Sequence, residues 1–197
     1  MSSDTPRLIL ASQSPRRFDL LTQMGLKFDV APADIDETPI QDESAETYVG
    51  RLAQTKAQAG WQPGQLNLGA DTIVVKDGAL LGKPQNRAHC IQMLQQLSGC
   101  AHQVFTGVAL FNGDVTYSKV VTSTVYLRPI SVDEIAWYWE TGEPQDKAGA
   151  YALQGLGGIF VKRVEGSYSN VIGLPMLETE DLLKQAGFPT WDERRNG

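Results

Sequence analysis

The sequence predicts a mixed α/β fold, and two features of its apolar pattern support that prediction. Near the start, short apolar runs alternate with segments of helical spacing. Further along, Asp77-Gly78 and Asn112-Gly113 each stand between two apolar runs and are typical of tight hairpins. We see no repeat, low-complexity block or linker in the 197 residues, a length sufficient for one substantial core or for one domain divided into two lobes. We therefore expect residues 1–197 to form a single domain.

The first elements follow from local signals. Residues 7–11 are an apolar run that predicts a strand. A helix follows it, with Ser14 at the N-cap, Pro15 at the first helical position and Gly25 just past the end. Helical spacing predicts that three apolar residues of this helix face the core, namely Phe18, Leu21 and Met24.

The remaining elements are predicted in the same way. A strand over 28–31 precedes a helix from Ser44 to about Gly60, and 61–67 is expected to be a loop. A third helix begins at Gln85 or Asn86, and a capping box at Ser131 and Glu134 opens a fourth. We further expect an irregular segment over 142–158, a strand over 159–165, a helix over 175–186 and a polar, partly frayed tail from 187.

One carboxylate interrupts the most strand-like stretch of the chain, residues 68–75. Ile73, Val74 and Val75 favour a strand that is covered on both faces, whereas Gly69 removes bulk just before Asp71. A carboxylate in such a strand is costly unless it is paired, hydrogen-bonded or bound to a metal. Asp71 is therefore either a structural acid that caps a turn or an acid with a chemical role.

The turn from Ser12 to Arg17 joins the first strand to the N-terminus of the first helix. Such a turn presents free backbone N–H groups and the positive end of the helix dipole, which suits a phosphate. Arg16 and Arg17 lie in the first helical turn, where acids are usual, so their position favours a nearby anion. The alternative is a simple Ser cap beside two solvated arginines.

Five further side chains are candidates for binding. Asp36 and Glu37 form an acidic loop that, together with Asp71, suits Mg²⁺; the alternative is a solvated loop. Lys56 and Lys83 each have the length to reach a phosphate; the alternative is that they are solvated, as most single lysines are, and composition does not decide. In the Gly-rich segment near the end, Gln154 offers a donor and an acceptor that suit the edge of a base.

Composition excludes several classes of function. The net charge of −6 argues against a general affinity for the backbone of nucleic acids. Cys90 and Cys100 do not form a disulfide framework, and the N-terminus is not typical of a signal peptide, so we expect a soluble, cytoplasmic protein without a membrane anchor. With only His89 and His102 in the chain, and with a spacing to the cysteines that matches no common zinc pattern, zinc sites and Ser-His-Asp hydrolases are disfavoured.

Several ordered motifs together resemble the Maf family of nucleotide pyrophosphatases over nearly the whole chain. They are LILASQSPRR, DIDET, RLAQTKA, LGADTIV, GKP, the Ser98-Gly99 helix stop, DKAGAYALQGLGG and VIGLPM. The resemblance implies a curved mixed β-sheet flanked by helices, with two lobes around a nucleotide cleft, as in ITPase-like proteins. It also implies hydrolysis of a nucleoside triphosphate to the monophosphate and pyrophosphate, a divalent cation (Mg²⁺ or Mn²⁺) as cofactor, and a possible homodimer.

The resemblance extends to individual residues. Three positions separate the branches of the family, and here they carry Arg16, Thr72 and Gln154. This combination resembles the branch that acts on dTTP and UTP, whereas the branch that acts on 7-methyl-GTP tends to carry Trp, Gln and Glu at these positions. Gln13 and Phe18 depart from the family pattern beside the first motif. The implied roles are Asp71 as proton acceptor, Glu37 and Asp71 as metal ligands, and Ser12, Ser14, Arg17, Lys56 and Lys83 as phosphate ligands. The alternatives are 7-methyl-GTP or a modified purine triphosphate as substrate, or a non-catalytic nucleotide-binding regulator of cell division.

Overall fold

A computed structural model describes residues 5–195 and contains seven strands and seven α-helices within that range. The strands are β1 (Arg7–Leu10), β2 (Asp29–Val30), β3 (Gln65–Lys76), β4 (Ala79–Leu81), β5 (Ala101–Phe111), β6 (Thr116–Leu127) and β7 (Val161–Glu165). The helices are α1 (Pro15–Gln23), α2 (Ala45–Gln58), α3 (Arg87–Leu97), α4 (Val132–Glu140), α5 (Tyr168–Ile172), α6 (Met176–Gln185) and α7 (Thr190–Arg195). Within the same range, none of the helices combines the length and the apolar composition needed to cross a bilayer.

The strands form one mixed sheet in the order β2-β1-β3-β5-β6-β7, with β4 paired to β3. Strand β1 is parallel to both β2 and β3, whereas β4 and β7 are antiparallel to their partners β3 and β6. Helices lie between the parallel strands along the chain, and the turn at Asp77-Gly78 joins the antiparallel strands β3 and β4, as the sequence predicted. Between β6 and β7, by contrast, the chain forms α4 and three short 3₁₀ helices. The prediction of a mixed α/β fold is confirmed.

The chain divides into two compact units. Unit 1 comprises the residues up to Asp71, Thr106–Val121 and the residues from Gly173 onward, and unit 2 comprises Thr72–Phe105 and Thr122–Ile172. Strands β3, β5 and β6 therefore each contribute residues to both units. The expectation of a single domain with two lobes stays a prediction.

In unit 1, the first helix buries a different face from the one predicted. Leu20, Leu21 and Met24 are buried, whereas Phe18 is 46% exposed. Phe18 instead packs edge-on against Phe28, with 5.2 Å between the ring centroids. The prediction for Phe18 was wrong because two adjacent leucines shift the apolar stripe, which leaves Phe18 at its margin.

Two further boundaries in unit 1 differ from the predictions. Residues 65–67, predicted as a loop, already pair with β1 as the first residues of β3. The tail is not frayed over its described part, because it forms α7. Arg194 donates to the carbonyl of Met24 and pairs with Glu180 at 2.7 Å, so one long side chain fixes α7 against α1 and α6.

Unit 2 is built around one apolar cluster under α3 and α4. Asn86 caps α3, and Ser131 with Glu134 forms the predicted capping box of α4. The segment predicted to be irregular over 142–158 instead contains short 3₁₀ helices at Glu143–Asp146 and Ala148–Ala150 and the start of a third, Leu156–Phe160. Buried side chains of the cluster include Leu94, Leu97, Ile135, Tyr138, Tyr151 and Phe160.

A histidine lies inside this cluster. His102 is 3% exposed, and its Nε2 lies 2.8 Å from the hydroxyl oxygen of Tyr151. Burial, assisted by the positive charge of Lys76, lowers the pKa of His102 to about 4, so the ring is neutral near pH 7.

Unit 2 should lose stability on mild acidification. Between the ordinary pKa of 6.5 and the folded value of about 4, the unfolded chain binds a proton at His102 that the folded chain does not. The free energy of unfolding should therefore fall by roughly 3 kcal/mol as the pH drops through this window. Urea unfolding at pH 7 and pH 4.5 checks this.

His102→Gln should remove most of this pH dependence, and Tyr151→Phe, which keeps the titrating ring, should retain it. An unchanged pH dependence in His102→Gln would show that other groups cause the loss of stability.

Candidate active site

Three charged side chains of unit 1 meet at one point. The ammonium nitrogen of Lys56 lies 2.7 Å from Oδ1 of Asp71 and 2.7 Å from Oε1 of Glu37. The side chains of Lys56 and Asp71 are only 9% and 11% exposed, whereas that of Glu37 is 54% exposed. We call these three residues the acid–lysine cluster. It has one protected side and one side open to solvent.

Two glycines explain how α2 delivers Lys56 to this point. A Cβ atom at Gly69 would lie 2.3 Å from the carbonyl oxygen of Ala53, and one at Gly107 would lie 2.3 Å from that of Val49. The backbone of α2 therefore rests directly on β3 and β5. Since residues two apart on a strand face the same side, the face that carries Gly69 also carries Asp71, and Lys56 reaches it from the helix.

Two side chains of α2 hold the acidic loop that carries Glu37. Tyr48 donates its hydroxyl to the carbonyl oxygen of Glu37 at 2.9 Å, and Arg51 donates to that of Thr38 at 3.3 Å. Arg51 also binds both carboxylate oxygens of Glu43, each at 2.7 Å. The backbone at Glu37 is thus fixed from the helix that supplies Lys56.

Tyr48 and Asp36 both form hydrogen bonds to the backbone of the acidic loop, and neither role follows from a sequence motif. Burial, together with the negative charges of Asp71 and Glu37, raises the pKa of Tyr48 to about 12, so the phenol stays protonated as a donor. No sequence motif pointed to Tyr48; the available signal was a hydroxyl on an inward helix face, which needs a partner. Asp36 uses its carboxylate in a local turn, where it accepts from the N–H of Thr38 at 2.9 Å.

The turn from Ser12 to Arg17 orients one of the two arginines. Ser14 caps α1 by accepting from the N–H of Arg17, as predicted. Ser12 accepts from Nη1 of Arg17 at 3.1 Å, and the carbonyl oxygen of Gly173 accepts from its Nε at 2.9 Å. Burial lowers the pKa of Arg17, and the charge of Asp71 opposes this shift. Arg17 is therefore a fixed positive charge in the electrostatic field of Asp71.

The other predicted residues lie on separate elements. Arg16 is half-buried in the first turn of α1, in unit 1. Thr72 follows Asp71 on β3, Lys83 is exposed just after β4, and Gln154 is exposed between two of the short 3₁₀ helices, all in unit 2. Their roles, like those of the phosphate ligands, stay predictions.

Asp71 has the environment of a proton acceptor. Burial raises its pKa above the ordinary 3.8, and the positive charges of Lys56 and Arg17 limit the rise. A carboxylate whose pKa is raised binds a proton more readily than an exposed one, yet the two cations favour its ionised form near neutral pH.

The predicted metal ligands suit a hard cation. Oxygens of Glu37 and Asp71 approach the same positively charged atom, and carboxylate oxygens are the donors that Mg²⁺ and Mn²⁺ prefer. Between residues 5 and 195, no group of three Asp, Glu, His or Cys side chains is placed to enclose an ion. Two carboxylates nevertheless match Mg²⁺ sites that are completed by water and substrate phosphates.

Comparison with known proteins places this geometry in a family. The sequence profile described as "Maf-like protein" matches residues 7–186. The chain belongs to the Maf family. Its resemblance to that family, expected from the motifs, is confirmed over most of its length.

Among its relatives in this family, the chain is similar to three bacterial proteins named "dTTP/UTP pyrophosphatase". The protein of Pseudoalteromonas atlantica is 52% identical over 184 residues, which cover 90% of this chain and 96% of the relative. That of Myxococcus xanthus is 52% identical over 191 residues, 96% of this chain and 97% of the relative. That of Anaeromyxobacter dehalogenans is 50% identical over 193 residues, 95% of this chain and 98% of the relative.

Gly69→Ala should damage both stability and the acid–lysine cluster. Because the new methyl group meets helix backbone rather than a flexible side chain, α2 must shift, at a cost of about 1–3 kcal/mol or more. Chemical unfolding measures the cost, and a crystal structure or NMR spectrum of the variant shows whether Lys56 leaves Asp71. Gly82→Ala is the matched control, since a Cβ there meets nothing within 4 Å. Equal stability of the two variants would contradict the close approach of α2 to β3.

Proposed function

We propose that this member of the Maf family hydrolyses dTTP and UTP to the nucleoside monophosphate and pyrophosphate. The observation that carries the proposal is the buried carboxylate of Asp71 beside Lys56, Arg17 and Glu37. The names of relatives that are about 50% identical over nearly the whole chain support the substrate class. A protein that only bound nucleotides would not need a buried proton acceptor.

Asp71 is the residue that moves a proton in this scheme. It accepts a proton from a water molecule as the water oxygen bonds to the α-phosphorus of the triphosphate. The bond from that phosphorus to the bridging oxygen breaks, and pyrophosphate leaves with the electron pair. Phosphoryl-type transfer asks little covalent chemistry of the protein, so positioning and charge stabilisation supply most of the acceleration.

The remaining residues bind the substrate and a metal ion. Positive charge and hydroxyl groups for the phosphates come from Ser12, Ser14, Arg17, Lys56 and Lys83. Glu37 and Asp71 would hold Mg²⁺ or Mn²⁺, which when bound neutralises phosphate charge and orients water. Arg16, Thr72 and Gln154 select the pyrimidine base.

Release of pyrophosphate from a panel of substrates tests the function. The purified protein is incubated with dTTP, UTP, CTP, ITP and 7-methyl-GTP, with and without Mg²⁺ or Mn²⁺. We expect metal-dependent turnover of dTTP and UTP. Turnover of a purine substrate alone would contradict the base assignment, and no turnover by the folded protein would favour a nucleotide-binding regulator.

Asp71→Asn should lower the turnover rate by at least about 10²–10⁴-fold without unfolding the protein. That range is typical for the loss of a general base. Because burial raises the pKa of Asp71, its ionised form costs folding free energy above the ordinary pKa, and a neutral amide removes that cost. The melting temperature at pH 7 should therefore not fall.

Kinetics and thermal unfolding of Asp71→Asn check both expectations against Asp114→Asn, an exposed hairpin acid. In the wild type, kcat/KM should fall with acid at a pH above the ordinary Asp value of 3.8. An active Asp71→Asn enzyme would exclude Asp71 as the base.

A further inference from the structure

A carboxylate in unit 2 binds the Gly-rich segment that carries Gln154. Oε2 of Glu143 accepts from the N–H of Leu156 at 2.9 Å, and Oε1 accepts from the N–H of Gly157 at 2.9 Å. Oε1 also accepts from the hydroxyl of Tyr138 at 2.6 Å. Burial by itself would raise the pKa of Glu143, but these hydrogen bonds outweigh it and lower the pKa, so the group is ionised at neutral pH.

Tyr138 binds a further backbone N–H group of the segment, on the N-terminal side of Gln154. Its hydroxyl oxygen accepts from the N–H of Ala152 at 3.1 Å while its proton goes to Glu143. Glu143 and Tyr138 therefore hold three backbone N–H groups, those of Ala152, Leu156 and Gly157. We call this pair and its contacts the Glu143 clamp.

Glycines let the segment lie directly on the clamp. A Cβ at Gly155 would be 2.3 Å from Oε2 of Glu143, and one at Gly157 would be 2.6 Å from the hydroxyl oxygen of Tyr138. Gly157 is thus restricted to glycine, because a Cβ there would also lie 2.8 Å from backbone atoms of Ala152, whereas a Cβ at Gly155 would displace the carboxylate of Glu143. The carboxylate of Glu143 and the hydroxyl of Tyr138 fill the space that side chains at these two positions would otherwise occupy.

Gln154 lies at the exposed tip between the held positions. It is two residues after Ala152 and two before Leu156, and it is itself exposed, whereas Ala152 and Gly157 are buried. A side chain on a short tip can select a base only if the backbone under it is fixed, because each free torsion lowers the fraction of competent conformers. The clamp fixes that backbone on both sides.

We propose that Glu143, acting with Tyr138, is a positioning residue that sets the base preference by holding Gln154. The inference rests on the proposed function, in which Gln154 reads the pyrimidine. A carboxylate suits this role because its two oxygens accept from the N–H groups of Leu156 and Gly157 and from the hydroxyl of Tyr138. A carboxamide has one acceptor oxygen, and its NH₂ group would face a backbone N–H.

Glu143→Gln and Glu134→Gln form a matched pair of variants. Glu134 is also an ionised, multiply hydrogen-bonded acid of unit 2, but it binds Arg128 and Ser131 at the start of α4. We expect Glu143→Gln to lower kcat/KM for dTTP by about 10- to 50-fold and that for CTP much less, since the lost bonds are charge-assisted. Glu134→Gln should leave the ratio of dTTP to CTP as in the wild type.

A double variant tests whether the effect passes through Gln154. In a Gln154→Ala background, Glu143→Gln should change the ratio of kcat/KM for dTTP and CTP less than about twofold, because coupled residues are not additive. An effect on this ratio as large as in the wild-type background would overturn the proposal. So would an unchanged ratio in the single variant Glu143→Gln.

Amide hydrogen exchange separates failure of this inference from failure of the proposed function. In Glu143→Gln, exchange at Leu156 and Gly157 should quicken by about tenfold or more, and in Glu134→Gln it should not. If Glu143→Gln were active and exchange at Leu156 and Gly157 were unchanged, the proposed role of the Glu143 clamp would be overturned and the proposed function would stand. If the wild type hydrolysed no triphosphate, both the proposed function and the proposed effect on base preference would be overturned. Faster exchange in Glu143→Gln would then still show that Glu143 holds the backbone of the segment.

Discussion

The direct contact of α2 with the sheet is the constraint on which the candidate site depends. Gly69 and Gly107 leave no side chain between the helix backbone and strands β3 and β5. The helix therefore lies close enough for Lys56 to reach Asp71, and Tyr48 to reach the loop that carries Glu37. A helix held at the usual distance by side chains would leave the carboxylate of Asp71 buried without a counter-ion, which is costly.

In each of the two units, side chains bind the backbone of an irregular segment by hydrogen bonds. In unit 1, Tyr48 and Arg51 bind carbonyl oxygens of the acidic loop; in unit 2, Glu143 and Tyr138 bind N–H groups of the Gly-rich segment. In both cases, side chains from an ordered element fix the backbone of an irregular one. Irregular segments can then present Glu37 and Gln154 without regular secondary structure of their own.

The sequence predicted those features whose causes are local. Helix starts at Ser14 and Ser131 and the hairpin at Asn112-Gly113 follow from neighbouring residues, and the structure confirms them. The burial of Asp71 followed from its apolar strand. The burial of Phe18 and the fraying of residues 187–195 were predicted wrongly, because both depend on partners distant in sequence. The anchoring roles of Tyr48 and Glu143 were missed because their partners are backbone atoms, which leave no pattern in the sequence.

Arg17 reaches the carbonyl of Gly173 across 156 positions of the chain, and this has a consequence for biosynthesis. A ribosome must add all of those residues before the guanidinium can gain that acceptor, so the turn from Ser12 to Arg17 cannot take its final form early in translation. Closing such a long loop is entropically slow. Nascent chains would therefore carry the turn without this acceptor until residue 173 has been added.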